Sequence, residues 1–314
     1  MGDVNQSVAS DFILVGLFSP SVPGQLLFSL VAAVFIMGLL GNTVLLFLIR
    51  MDSQLHTPMY FLLSQLSLFD VGFPLATIPK MAADFLQGEG SISFEGCTAQ
   101  IFFLTLLGVA ECVLLALMSY DRYVAVCYPL QYPILMRHQV CVLLVGTSWL
   151  AGVFNASIQT SVTLHFPYCA SHIVDHFFCE VPALLKLSCA DTTAYELALS
   201  VSGVLILVLP LSFIAASYGQ VLRAVLHMPS DAARHKAITT CSSHITVVVL
   251  FYGAAVFMYM VPGVYHSPHQ DNVVSLFYSL VTPTLNPLIY SLRNREVKIA
   301  LVKVLKRAGL RPKW

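Results

Sequence analysis

Seven long apolar runs constrain this chain more than any other feature. They lie near 25–49, 58–86, 98–120, 139–161, 196–226, 238–262 and 271–292. A run of about twenty apolar residues crosses the hydrocarbon core of a bilayer. Inside that core each backbone N–H and C=O needs a partner within the protein, so segments of this length span as helices. Pro74, Pro79 and Pro210 interrupt the second and fifth runs, which membrane helices tolerate. Composition agrees: 57% of the residues are hydrophobic and 10% charged, against about 25% charged in a soluble domain. The expectation is an all-α membrane protein, a seven-transmembrane helix bundle. Residues 1–20 carry Asp3 and Asp11 and no basic region, so the first run is expected to serve as its own insertion signal.

Basic residues set the orientation. With the N-terminus outside, only Lys80 and Lys186 of the sixteen Lys and Arg residues fall on the outer side. The expected division is an extracellular tail at 1–24, the bundle at 25–292, and a cytoplasmic amphipathic helix and tail at 293–314. In that last segment Val297, Leu301, Val304, Leu305 and Ala308 recur at helical spacing among Lys298, Lys303, Lys306 and Arg307. This pattern predicts a short basic eighth helix lying on the inner leaflet and contacting membrane lipids. Cys97, Cys169, Cys179 and Cys189 fall in outer loops, where oxidation is possible and three pairings are open. Cys112, Cys127, Cys141 and Cys241 fall in helices or near the cytoplasm. Asn5-Gln6-Ser7 is a glycosylation sequon on the outer tail. Asn155-Ala156-Ser157 matches too, but lies inside the fourth run.

The residues within this frame carry a resemblance. Gly41-Asn42 stands in the first run and "LHTPMYFLLSQLSLFD" at 55–70. "MSYDRYVAVCYPLQY" follows at 118–132, "HFFCE" at 176–180, "SYGQVL" at 217–222, "HKAITTCSSHITVVVLFYG" at 235–253 and "PTLNPLIYSLRNREVKIAL" at 283–301. A lone DRY is weak, but this ordered set on seven spans is specific. The chain resembles a rhodopsin-like G-protein-coupled receptor, and within that class an olfactory receptor of the tetrapod type, family 2 being the nearest pattern. The resemblance implies detection of a small volatile molecule and activation of a stimulatory G protein of the olfactory type, with adenylyl cyclase downstream. It implies a plasma-membrane location, in the cilia of olfactory sensory neurons. It also implies a Cys97–Cys179 bridge, which leaves Cys169 to Cys189.

Asp121 and Arg122 end the third run, and ionisable groups bordering a membrane span are functional candidates. By resemblance Asp121 holds Arg122 while the bundle is closed, with Tyr123 next to them. Arg122 meets the G protein when helix 6 swings out. Tyr218 and, in "NPLIY", Asn286, Pro287 and Tyr290 belong to the same switch. Deeper, Asp70 and Glu111 have no base at matching depth. They are expected to be protonated, to share a proton, or to hold a cation, with Asn42 and Asn286 as hydrogen-bonding neighbours. Rhodopsin-like receptors keep a sodium ion beside the acid that Asp70 matches. "FYG" at 251–253 lacks the proline that other rhodopsin-like receptors carry in helix 6, leaving Gly253 as the flexible point.

The ligand site is expected in the outer half of the bundle, between helices 3, 5, 6 and 7. Leu104, Gly108 and Glu111 share one stripe of helix 3, and Thr105, Val109 and Cys112 the adjacent one. Family matching adds Ser202 and Ile206 on helix 5, Tyr252, Ala255, Val256 and Tyr259 on helix 6, and Ser279 on helix 7. The expected lining is apolar, with a few hydroxyls and no fixed charge above Glu111, which suits a small neutral ligand. Leu104 stands where amine receptors carry an aspartate. No lysine occurs between Lys236 and Lys298, so helix 7 cannot form a retinal Schiff base. His172, His176, Cys179 and Glu180 have a metal-ligand spacing, but the resemblance spends Cys179 in a disulfide, so no metal is expected.

Two other classes fit less well. A transporter would show inverted repeats or paired half-helices. An intramembrane enzyme would show HExxH, Gly-x-Ser-x-Gly or paired catalytic aspartates. The chain shows none of these patterns, and no enzymatic or nucleic-acid-binding role is expected. The sequon gives the first test. Asn5→Gln should remove one glycan and yield a faster-migrating band on a gel, and an unchanged band would return attention to Asn155.

Overall fold

The computed structural model describes residues 11–18, 21–169, 171–228, 230–261 and 267–307. Asn5 lies outside them, as do Ala308, Arg311 and Lys313. Seven helices are long and apolar enough to cross a membrane. They are α1 (Val22–Met51), α2 (Pro58–Gln87), α3 (Phe94–Cys127), α4 (His138–Leu164), α5 (Thr193–Leu226), α6 (Asp231–Met260) and α7. The last joins Pro268–Leu276 to Thr282–Arg293 through a π-helical turn at Phe277–Val281. An eighth helix, α8 (Arg295–Arg307), follows. The observed helices overrun most of the apolar stretches at one or both ends, because a helix continues through polar residues once it leaves the hydrocarbon.

Local chemistry sets the helix ends. Pro58 opens α2 in its first turn, where a missing N–H costs nothing. Gly88 closes α2 with φ of 75°, a left-handed conformation suited to glycine. Ser93, Ser230 and Ser267 cap α3, α6 and α7 by accepting from Gly96, Ala233 and Gln270 N–H. Pro74, Pro79, Pro210 and Pro287 lie inside continuous helix. Helix α6 runs unbroken through Gly253.

Helix α3 runs through the centre, packed against α2, α4, α5 and α6. Small residues let the backbones meet. A Cβ on Gly152 of α4 would sit 2.4 Å from the Leu106 carbonyl oxygen of α3, and one on Gly38 of α1 would sit 2.4 Å from Thr284 Oγ1 of α7. The apolar face of α8 buries Val297 and Ala300. Tyr60 OH donates to Glu296 Oε2 at 2.8 Å, and Lys303 Nζ to Asp52 Oδ2 at 2.9 Å.

One element lies outside the expectation of helices alone. β1 (Phe12–Leu14) pairs antiparallel with β2 (Ser91–Ile92) and parallel with β3 (Ile173–Val174). Alternation explains it: Phe12 and Leu14 are buried and Ile13 is exposed. The sheet caps the end of the bundle that carries both disulfides, Cys97–Cys179 and Cys169–Cys189. Cys112, Cys127, Cys141 and Cys241 are free thiols. Asn155 sits within α4, where its Oδ1 accepts from Gln159.

The close approach at Gly152 generates a test. Gly152→Ala should push α3 and α4 apart at a cost of about 1–3 kcal/mol, seen as a lower melting temperature of the purified protein. Gly146→Ala on the same helix has nothing within 4 Å of the new methyl and should be tolerated.

Candidate functional site

A cavity of about 150 Å³ opens toward the disulfide end. An apolar cavity of about this volume holds a molecule the size of benzene. Eight of the expected residues line it: Leu104, Thr105, Gly108, Val109 and Cys112 from α3, Ile206 from α5, and Ala255 and Tyr259 from α6. Both α3 stripes therefore contribute, except Glu111, which is buried one layer deeper. Four expected residues do not line it. Tyr252 is buried beneath, where its OH donates to the Cys112 carbonyl at 2.9 Å. The Ser202 hydroxyl donates to its own helix at Leu199, and Gly203 beside it faces the cavity instead. Ser279 is fully buried in the π-helical turn, and Val256 lies off the lining.

The remainder of the wall comes from residues without a local sequence signal. Phe73 enters from α2, Gln159 from α4, Phe251 from α6 and Tyr278 from α7. The segment between α4 and α5 closes the mouth with Phe178, Cys179, Glu180 and Val181. The Cys97–Cys179 bridge ties this segment to the start of α3. Gln100 fixes it further: its Oε1 accepts from Cys179 N–H at 3.0 Å while its Nε2 donates to the Ala76 carbonyl at 2.9 Å. The expected lining without charge is thus corrected, since Glu180 brings a carboxyl group above Glu111. The reason is its neighbour in sequence: pinning Cys179 to α3 carries the next residue over the mouth. Burial pushes the Glu180 carboxyl up to about 7, helped by Asp271 and opposed by Lys186. His176 is buried against Phe177 and Phe178 and meets Ser275 Oγ of α7 at 3.2 Å. Burial lowers its imidazole to about 4, so it is neutral near pH 7. With His172 exposed and Cys179 bridged, the metal-like spacing does not converge, and no cluster of three or more His, Cys, Asp or Glu side chains forms among the described residues.

Below the cavity lies a buried polar layer. Asn286 Nδ2 donates to Asp70 Oδ1 at 2.8 Å. Glu111 is close enough to Asp70 for the two acids to interact. Asn42 departs from expectation: its amide donates to the Gly38 and Pro283 carbonyls, both at 3.0 Å, and so joins α1 to α7 and not to the acid. Asp70 Oδ2, Glu111 Oε1 and Asn286 Oδ1 are buried with no partner among the described residues. Several acceptor oxygens left over in one layer suit a hard cation or a shared proton.

At the opposite end a second cavity, about 830 Å³, is walled by α2, α3, α6 and α7. Arg122 is paired there with Asp121, whose second oxygen accepts from Tyr132 OH at 2.7 Å. Tyr132 holds the pair in place, a part that adjacency of Asp121 and Arg122 does not disclose. Tyr218 OH on α5 meets His244 Nδ1 on α6 at 2.7 Å. Tyr290 faces this cavity with its OH buried and without a partner among the described residues. Tyr123 leans on Tyr128, their hydroxyls 3.4 Å apart. Pro287 packs where α7 crosses Gly41 of α1.

Comparison with known proteins agrees with this arrangement. A family model described as "Olfactory receptor" matches residues 31–308. Human Olfactory receptor 2Z1 is 81% identical over 311 residues, 99% of each chain. Human Olfactory receptor 2AJ1 is 52% identical over the whole chain and 95% of the relative, and mouse Olfactory receptor 2V1 is 54% identical over 97% of this chain and 96% of its own. With seven membrane-length helices, a covered cavity at one end and a clasped arginine at the other, the chain belongs to the olfactory receptor family, odorant-sensing G-protein-coupled receptors and not enzymes.

Proposed function

We propose that a small, neutral, mainly apolar volatile binds in the 150 Å³ cavity and that the receptor then activates a stimulatory G protein of the olfactory type, raising cyclic AMP. The disulfide end faces outward and the Arg122 end faces the cytoplasm, in the plasma membrane and in the cilia of olfactory neurons. The observation that carries this reading is the pairing of Arg122 with Asp121, whose other oxygen is held by Tyr132, at the edge of the larger cavity. Arg122 is held in a closed arrangement, and its release is the step that a binding event at the far end can favour. A ligand shifts such an equilibrium only by binding one arrangement more tightly than the other. Residues of the cavity wall that belong to α5 and α6 provide that difference, because Tyr218 and His244 join the same two helices at the other end. Burying apolar area is worth about 25 cal/mol per Å², so a ligand of this size gains modest affinity, and micromolar potency is expected.

Asp70, Glu111 and Asn286 hold a sodium ion in the closed arrangement, which supplies positive charge to an otherwise unpaired acid layer. Their orphaned oxygens support that reading.

Two measurements test these proposals. Arg122→Ala should abolish odorant-evoked cyclic AMP while leaving the amount at the cell surface near the wild-type level. A normal response at equal surface level would remove Arg122 from the switch. Sodium, compared with an equal concentration of N-methylglucamine, should raise the melting temperature of the purified receptor, since a ligand that binds only the folded state stabilises it. Asp70→Asn should make the two salts equivalent, and a persisting difference would place the ion elsewhere.

A further inference from the structure

Among the described residues one carboxyl group, that of Glu180, lines the candidate ligand cavity, and no described side chain hydrogen-bonds it. The wall residues around it are apolar or hydroxyl-bearing: Phe178 and Val181 beside it in the chain, Tyr259 from α6 and Tyr278 from α7. No lysine, arginine or histidine lines the cavity among the described residues. The side chain of Glu180 is 18% exposed, and its nearest basic neighbour, His176 Nε2, is 3.9 Å away, beyond hydrogen-bond distance. His176 is committed to Ser275. No donor among the described residues bonds the Glu180 carboxyl, whereas its backbone is tightly held. The bridged Cys179 precedes it, and its own carbonyl accepts from Leu184 N–H, opening the short helix Val181–Leu185.

A carboxylate so placed has shed much of its hydration and has gained no donor from the described residues. Burying an unsatisfied acceptor is costly, and a charged one more so. The cost is recovered when a bound molecule brings a donor. Resting on the assignment of this cavity as the odorant site, we propose that Glu180 accepts a hydrogen bond from a donor group on the ligand, so that the receptor selects hydroxyl- or amine-bearing volatiles over ethers and hydrocarbons of the same shape. The apolar α3, α5 and α6 walls hold the carbon skeleton, and the loop supplies the polar recognition. A neutral hydroxyl carries this chemistry within the neutral-ligand reading; an ammonium would carry it too, against that reading, and the test separates the two.

Extracellular pH modulates the preference. The carboxylate is the better acceptor, and burial keeps the Glu180 carboxyl near 7, so selectivity for donors rises as pH rises through about 7 and falls below it. The groups near Glu180 are His176 and Lys186 of its own loop, Tyr259 of α6, and Asp271 and Tyr278 of α7. His176, held near 4, stays neutral throughout that window.

The test uses three probes of eight heavy atoms each: benzyl alcohol, its isomer anisole, and benzylamine. Their binding to the full-length purified receptor is read from ligand-induced shifts in melting temperature, which needs no G protein. Benzyl alcohol should bind about tenfold tighter than anisole at pH 8, the usual worth of a hydrogen bond to a charged group, and the gap should narrow at pH 6. Glu180→Met should bring the two together at both pH values without weakening anisole. Glu180→Gln keeps an acceptor, so it should retain part of the alcohol preference and lose the pH dependence. Benzylamine tighter than benzyl alcohol in the wild type, and equal to it in Glu180→Gln, would identify ammonium as the preferred donor. Equal binding of alcohol and anisole to the wild type overturns the proposal. So does a preference that survives in Glu180→Met, or no binding by any probe into the millimolar range. Selective binding without a cyclic AMP response would count against the coupling proposed above and leave this inference standing.

Discussion

Lipid tails are as apolar as leucine, so the helices of this protein have no hydrophobic reason to associate once inserted. What joins them is close packing and the pairing of polar groups that lipid cannot satisfy. Gly152 brings α4 onto α3 and Gly38 brings α1 onto α7, each at a distance where an added methyl would collide. Asn42 reaches from α1 to the carbonyl of Pro283 in α7, to which Pro287, lacking an N–H, cannot donate, and Asn286 reaches from α7 to Asp70 in α2. Of these contacts, the Asn286–Asp70 bond belongs to the acid layer, so that layer also helps to join α7 to α2.

The disulfide end is organised by a different force. Cys97–Cys179 ties the segment between α4 and α5 to α3, and β1, β2 and β3 seal the joint with Phe12, Leu14 and Val174. This cap places Phe178 and Glu180 over the cavity and turns an open cleft between helices into a covered one. A covered site excludes water, which strengthens each polar contact within it.

The acid layer lies between the two cavities; α3, α6 and α7 line both, and α5 lines the upper one and reaches α6 at the lower end through Tyr218 and His244. Cys112 lines the upper cavity, and its sulfhydryl lies 3.2 Å from Tyr252 OH. The other end of α6 is latched to α5 by Tyr218 and His244. A ligand that changes how α5 and α6 sit around it acts on elements whose far ends hold that latch and border the Arg122 clasp.

The sequence by itself determined the span count, the membrane class and the family. Hydrophobic length and ordered motifs are local, and each can be read without knowing what lies across the bundle. It also marked Asp121, Arg122, Asp70 and Glu111, because charge is costly in or beside a membrane span, and most of the α3 wall, because helical periodicity converts spacing into a shared face. Tertiary structure alone decided what meets across long separations. Tyr132 completes the Arg122 clasp, Asn42 serves Pro283 and not Asp70, Gly203 and not Ser202 faces the cavity, and Phe73 and Tyr278 enter the wall. Ser279 lies buried in the π-helical turn at Phe277–Val281 and off the cavity wall. Glu180 was the nearest to being legible, since it follows a cysteine whose bridge leads to α3. Its role still depended on where the loop descends, and that is set by Gln100, the small sheet and the packed rings of His176, Phe177 and Phe178, contacts that local pattern does not encode.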